Sequence, residues 1–351
     1  MVDESYKKGR GAQTKPANRF SKMSFAKEHV EGIDDFTESD IRTQFFMEKS
    51  ARIVNVVNSP DVGMQYSVNP YQGCEHGCVY CYARNSHEYW GFNAGLDFES
   101  KIVVKENAPA LLEKFLLAQT WQPAPISLSG NTDCYQPAER KFKITRQLLS
   151  ILAKYKNPVS IITKNSLVLR DVDILKDLAS ENLVHVYVSI TSLDEEVRQL
   201  LEPRTATAKK RLMVIETLAK ANIPVGVMVA PIIPAINQHE ITNIVKAAAD
   251  AGAYAANMIV VRLNGAIASI FKDWLKKNYP DRYEKVIHQI ESLHGGKVND
   301  SRLGKRMRGE GEFAELIQQQ FKMAKRKYLV GKQMPPYNLT AFRRGGVLTL
   351  F

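Results

Sequence analysis

The stretch Tyr71–Arg84, YQGCEHGCVYCYAR, sets Cys74, Cys78 and Cys81 in a C-x3-C-x2-C spacing, while the fourth cysteine, Cys134, stands far away. A loop this compact can aim three thiolates at one inorganic centre. Three ligands are one short of the four that close a structural zinc site or an ordinary cubane cluster. The shortfall leaves a metal position open to a small molecule. His76, inside the loop, is either a further ligand or a hydrogen-bonding group. Cysteines grouped three and one do not form a disulfide framework, so metal or redox chemistry in a reducing cytoplasm fits their use.

Outward from this loop the chain acquires a rhythm. Apolar strands are expected at Gln65 to Tyr71, Pro125 to Ser129, Val159 to Thr163, Val184 to Ile190, Pro224 to Ile232 and Ala255 to Arg262. Helical patterns separate them: ALLEKFLL behind an Asn107 cap and an early proline, TRQLLSILAKY, LVLRDVDILKDLAS, KRLMVIETLAKA, and ITNIVKAAADAG ending at Gly252. Six strand–helix units with mostly buried strands predict a parallel sheet covered on both faces, either doubly wound or a partial barrel. In both, ligands gather at the carboxyl ends of the strands. The cysteine loop follows the first strand and GNTDCYQP follows the second, so both fall on that face.

With 351 residues, 44% of them hydrophobic, the chain can bury a large core. The best apolar run, IPVGVMVAPIIPAI, is short and holds three prolines, so it reads as a strand and no membrane span is expected. The first twenty residues lack an apolar core, so no secretory signal is expected and a cytoplasmic location follows. The formal net charge is +11, and residues 301–351 carry eleven Lys or Arg against three Glu. That surplus fits either a polyanionic partner or solvated helix faces. The expected division is a disordered tail over 1–22, an N-terminal extension over 23–63, a core over 64–264 and a basic, mainly helical extension over 265–351. Arg302, Lys305, Arg306 and Arg308 in RLGKRMRGEGE read as a phosphate-contacting loop or a solvated helix start.

The cysteine spacing, with Tyr80 directly before the third cysteine, resembles the radical S-adenosylmethionine (SAM) superfamily. VYCYAR, NTD after the second strand, ITK after the third, SIT after the fourth, LEPRT and VAPI narrow the likeness to its spore photoproduct lyase and DNA repair photolyase-like branch, over Tyr66 to Leu263. The resemblance implies an α/β fold, a partial (βα)6 TIM-like barrel. It implies a [4Fe-4S] cluster on Cys74, Cys78 and Cys81, with SAM chelating the free iron. Reductive cleavage of SAM would then yield a 5′-deoxyadenosyl radical, and the reaction would be lyase-like. Carried over by position, Tyr80, Tyr82, Thr132, Lys164 and Ser189 line the SAM site. A flavodoxin or ferredoxin would supply the electron.

Two departures stand out. Where the superfamily often has Gly-Gly-Glu, this chain has Ser129-Gly130-Asn131-Thr132-Asp133, as the lyase branch does. Where the lyase has a hydrogen-donating cysteine, this chain has Gly130. Cys134, four residues on, is then either the donor or a small buried apolar residue. With Tyr82 it forms the expected catalytic pair. Tyr135, Gln136, Glu139 and Arg140 are expected to border the substrate, and Glu202 and Arg204 to meet substrate or SAM, or to form a surface ion pair. The expected substrate is a nucleic-acid base, DNA favoured over RNA. The alternatives are radical chemistry on a protein or small molecule, or a nonenzymatic cluster protein that binds nucleic acid. The ending VLTLF resembles sliding-clamp peptides, with Leu348, Leu350 and Phe351 as anchors.

Overall fold

The computed structural model describes residues 6–20 and 42–345. Its centre is a seven-stranded sheet in the order β10-β9-β8-β7-β6-β3-β2. Six of these strands run parallel: β3 (Tyr66–Val68), β6 (Ile126–Leu128), β7 (Val159–Thr163), β8 (Val184–Ser189), β9 (Val225–Ile232) and β10 (Ala255–Val260). β2 (Val54–Val56) adds an antiparallel edge on β3. All six expected strands are present. The sheet ends at β10 and β2 rather than closing on itself, so it is an open layer among the described residues.

Continuous apolar runs form these strands because both faces are covered: five of the six residues of β8 are buried. Helices supply the outer cover. Ile144–Lys154 turns Ile144, Leu148, Leu149 and Leu152 inward, the spacing of a single helical stripe. Ala108–Leu117, Val172–Ser180, Ala208–Lys220 and Ile241–Asp250 complete it. Asn107 does not cap its helix as expected. Its side-chain amide instead exchanges two hydrogen bonds with the Ser50 backbone, at 3.0 and 2.9 Å. In LVLRDVDILKDLAS the first half is a 3-10 turn, Ser166–Asp171, and only the second half is α-helical.

Two features depart from the expected division of the chain. A second sheet joins β1 (Gln44–Glu48), β5 (Lys101–Lys105) and β4 (Tyr71–Gln72), so the N-terminal segment pairs with chain beyond the cysteine loop. Residues 6–20, expected to be disordered, fold against the core: Glu99 accepts the backbone N–H of Gly11 at 3.1 Å and of Ala12 at 2.7 Å.

The C-terminal region wraps both ends of the sheet. Helix Glu312–Tyr328 buries Ala314, Ile317, Phe321 and Ala324 against the helical cover. The tail beyond it crosses the strand starts, where Tyr337 donates to the Val159 carbonyl at 3.3 Å and His185 meets the Pro335 carbonyl at 2.9 Å. Residues 298–307 meet the opposite end, where the Val260 N–H reaches the Met307 carbonyl at 3.0 Å. Leu348, Leu350 and Phe351 lie outside the described residues, and no comparison supports a sliding-clamp partner. No helix among the described residues is long and apolar enough to cross a membrane.

Candidate active site

The carboxyl ends of the parallel strands converge on one cavity of about 380 Å³. Cys74, Cys78 and Cys81 line it together, brought there by the loop that follows β3 and β4. The loop reverses at Gly77, whose φ of +70° suits a residue without a side chain. Gly11 packs so close beneath it that a Cβ there would lie 1.7 Å from the Gly77 carbonyl oxygen. Arg84 fastens the loop from inside: its guanidinium donates to the Cys78 carbonyl at 2.9 Å and pairs with Glu99 at 2.6 Å, both side chains fully buried. Burial raises the pKa of all three thiols, so the thiolate form needs a cation beside it.

His76 is no free ligand. The Asn165 amide lies 3.1 Å from its Nε2, and Nδ1 faces Asp133 at 3.4 Å. Burial lowers its pKa to about 4, so the ring is neutral at physiological pH. An amide N–H donating to Nε2 leaves the ring proton on Nδ1, toward the carboxylate. Asp133 also accepts from the Thr163 hydroxyl at 2.8 Å and the Lys164 backbone N–H at 2.7 Å, tying the ends of β6 and β7 to the cysteine loop. Sequence reasoning gave Asp133 no role; its place beside Thr132 in NTD was the available signal.

Tyr80, Tyr82, Thr132, Lys164 and Ser189 all line the cavity. The Tyr82 hydroxyl donates to the Gly130 carbonyl at 2.7 Å and the ring is 47% exposed. The Thr132 hydroxyl donates to the Tyr71 carbonyl at 2.6 Å. Tyr80 turns its hydroxyl to Glu202 and Thr191 and packs in one apolar cluster with Cys78. Burial works against the Lys164 ammonium, but Glu202, Cys78 and Asp133 outweigh it and raise its pKa, so Lys164 brings a lasting positive charge. The Ser189 carbonyl accepts from Arg211 at 2.9 Å.

Other expected residues lie elsewhere. Cys134 is fully buried in the main core and does not line the cavity. The Ser129 hydroxyl accepts its N–H at 2.8 Å and Thr145 donates to its carbonyl at 2.6 Å, which fixes the backbone and leaves the thiol among core side chains. Its burial apart from the cavity lining favours the buried apolar alternative over the hydrogen-donor role. Tyr135, Gln136 and Glu139 are likewise buried, and they brace the loops. Gln136 accepts the Glu75 N–H at 3.0 Å and donates to the Gly73 carbonyl at 2.9 Å, and Glu139 pairs with Arg170 at 2.7 Å. Arg140 is exposed outside the cavity lining. Glu202 is wholly buried with Arg211, Tyr80 and Thr191 rather than facing a ligand or Arg204. In the basic turn, Arg302 and Lys305 pair with Glu310 and Arg306 with Asp61, in a turn rather than a helix start. Arg262, Arg306 and Met307 reach the cavity lining, which the sequence alone did not indicate.

An α/β protein with a thiol-lined cavity at its strand ends, and a cation and hydroxyls around it, has the layout of an enzyme that takes a metal centre and a polar cofactor together. Residues 68–248 match the radical SAM superfamily profile, and the chain belongs to that superfamily. Its members use a [4Fe-4S] cluster and SAM, and this chain is a radical SAM enzyme. An uncharacterized protein of Mycobacterium tuberculosis is 34% identical over 66% of this chain and 69% of its own. One of Methanocaldococcus jannaschii is 30% identical over 68% of this chain and 85% of its own. Among solved structures, spore photoproduct lyase complexed with dinucleoside spore photoproduct superposes with a TM-score of 0.62 at 17% identity, covering 86% of both chains. A lyase mutant with bound AdoMet and the same dinucleoside gives 0.61 at 17% identity and the same coverage. These likenesses establish a shared fold.

The residues present fit the superfamily's cluster. Three thiols share the cavity, the neighbouring imidazole is occupied, and no group of three or more His, Cys, Asp or Glu among the described residues is placed to hold a single ion. A cluster asks less convergence of its ligands than one ion does, since each thiol meets a different iron.

Proposed function

We propose that this enzyme acts on a nucleic-acid base, with DNA favoured over RNA, in a lyase-like repair reaction. Cys74, Cys78 and Cys81 hold the [4Fe-4S] cluster. When bound there, the cluster and SAM would supply the one-electron radical chemistry of the superfamily. Lys164 meets the SAM carboxylate, Tyr80 and Tyr82 offer aromatic faces, and Thr132 and Ser189 shape the polar rim. The apolar strand ends around them exclude water and stray hydrogen donors from a reactive species. A small redox protein of the flavodoxin or ferredoxin kind delivers the electron. With Cys134 in the core, Tyr82 is the catalytic candidate that faces the substrate side.

The observation that carries the reading is the shared cavity of three thiols, two buried and one partly buried, beside a cationic Lys164. The likeness to a lyase solved with a dinucleoside lesion supports the choice of substrate class. The test reconstitutes iron and sulfide anaerobically, adds dithionite and SAM, and follows 5′-deoxyadenosine with and without ultraviolet-irradiated DNA. The expected result is cleavage of SAM with loss of a DNA lesion. Cleavage that no nucleic acid stimulates or consumes would exclude the proposed substrate, and no cleavage by a fully loaded cluster would exclude the assigned centre.

A further inference from the structure

Arg262 stands two residues beyond the end of β10, half-buried and lining the cavity. Among the described residues it has no carboxylate at ion-pair distance and no hydrogen-bond acceptor for its guanidinium. Its charged neighbours are Arg306 and Asp61, with the neutral Tyr82 phenol also close, and burial and then Arg306 lower its pKa. The one carboxylate nearby is already engaged: Asp61 accepts from Arg306 at 2.5 Å and from the Gly304 N–H at 2.6 Å. Among the described residues, Arg262 and Arg306 on the cavity lining therefore share one nearby carboxylate, that of Asp61. An unpaired, half-desolvated guanidinium keeps its donors for solvent or for an anionic ligand, and the anion completes it better.

The position of the surplus charge narrows the ligand. Lys164 lies at the end of β7, with β8 and β9 between it and β10, so Arg262 is a separate cationic point from the one assigned to SAM. Arg306 also donates to the Ser59 hydroxyl, which lines the same cavity as Arg262. Exposed Arg308 lies on the same turn, as do exposed Arg302 and Lys305, which Glu310 already pairs. Two planar donor forks close together on a cavity lining suit a phosphate of a nucleic-acid backbone.

We infer that Arg262, assisted by Arg306, forms a phosphodiester-binding subsite at the cavity mouth, distinct from the SAM site, and that Asp61 competes with the phosphate for Arg306. The inference rests on the nucleic-acid reading for the source of the phosphate. The competition needs no large movement, because Arg306 has only to exchange one oxygen anion for another.

The test measures binding of three probes to the cluster-loaded protein: a mixed-sequence single-stranded oligodeoxynucleotide, the same sequence with neutral methylphosphonate linkages, and inorganic pyrophosphate. The parent is expected to prefer the phosphodiester chain. Arg262→Gln should weaken the phosphodiester chain and pyrophosphate about tenfold, lower the salt slope by about one and leave the methylphosphonate chain unchanged. Arg262→Lys, which keeps the charge and most of the stem, should fall between and guards against misfolding. Asp61→Asn should tighten pyrophosphate several-fold. Equal affinities of parent and Arg262→Gln for both anionic probes would overturn the subsite, as would a loss confined to SAM. If pyrophosphate responds as expected while the parent treats the two oligonucleotides alike, the subsite stands and the nucleic-acid substrate fails.

Discussion

Arg84 and Glu99 meet at 2.6 Å with neither side chain exposed, and the same guanidinium holds the Cys78 carbonyl at 2.9 Å. The last residue of the cysteine stretch is thus the buried brace of the loop it ends. It donates as well to the Ala94 and Gly95 carbonyls, at 3.2 and 3.0 Å, so one side chain replaces water for three backbone oxygens and a carboxylate.

Removing that brace leaves Glu99 charged in a dry interior. Arg84→Met is expected to cost about 3–5 kcal/mol, as truncating one partner of a buried pair does. Iron retention should fall with it, because the Cys78 carbonyl loses its anchor. Chemical denaturation and iron content per chain check both effects. Full iron loading at parental stability would refute the bracing role.

The four cysteines should divide three to one. Changing Cys74, Cys78 or Cys81 to Ala singly should abolish the broad iron–sulfur absorbance and 5′-deoxyadenosine formation. Cys134→Ala should retain the absorbance, with a stability loss of about 1–2 kcal/mol for a small buried void. Visible spectra and nucleoside analysis of the four variants, prepared in parallel, decide the matter.

Lys164→Met should weaken SAM about tenfold or more, as expected for a lost charge-assisted contact, while the loaded cluster keeps its spectrum. Equilibrium binding of SAM to the reconstituted variant reads this directly. An unchanged affinity would move the carboxylate contact elsewhere.

Glu202 makes a pH-dependent contribution. Burial opposes its charge, but Arg211 and Lys164 outweigh burial and hold its pKa near 2, against about 4.3 for a free glutamate. A carboxyl with a depressed folded pKa stabilises the protein fully above its unfolded pKa, and that stability is lost as the pH falls through the folded value. The stability gap between the metal-free parent and Glu202→Gln should be widest near neutrality and shrink from about pH 4.5 toward pH 2. Urea titrations across that range give the gap at each pH.

The six parallel strands were legible because burial on both faces writes them as uninterrupted apolar runs, as in Val225–Ile232. The second sheet was not, since Gln44–Glu48 pairs with Lys101–Lys105 across a long intervening segment and neither carries a local sign of its partner. Cys74, Cys78 and Cys81 were readable from spacing because one short loop delivers all three. The polar letters of DCYQPAER looked like a cavity rim, yet Tyr135 and Glu139 turn back into the core, where Asp171, Arg170 and Tyr71 satisfy them. Partners supplied from distant strands are what a local reading cannot see. Arg262 was hidden in another way, because its significance is the lack of a partner, which only three-dimensional neighbours disclose.

Gly11 and Ala12 lend their amides to Glu99 from well outside the superfamily match over 68–248. A fragment trimmed to that match would strip a sealed carboxylate of two donors and open a slot under the turn at Gly77. The catalytic module, as comparison delimits it, is therefore a recognisable unit without being a free-standing one: its iron-holding loop leans on a borrowed floor.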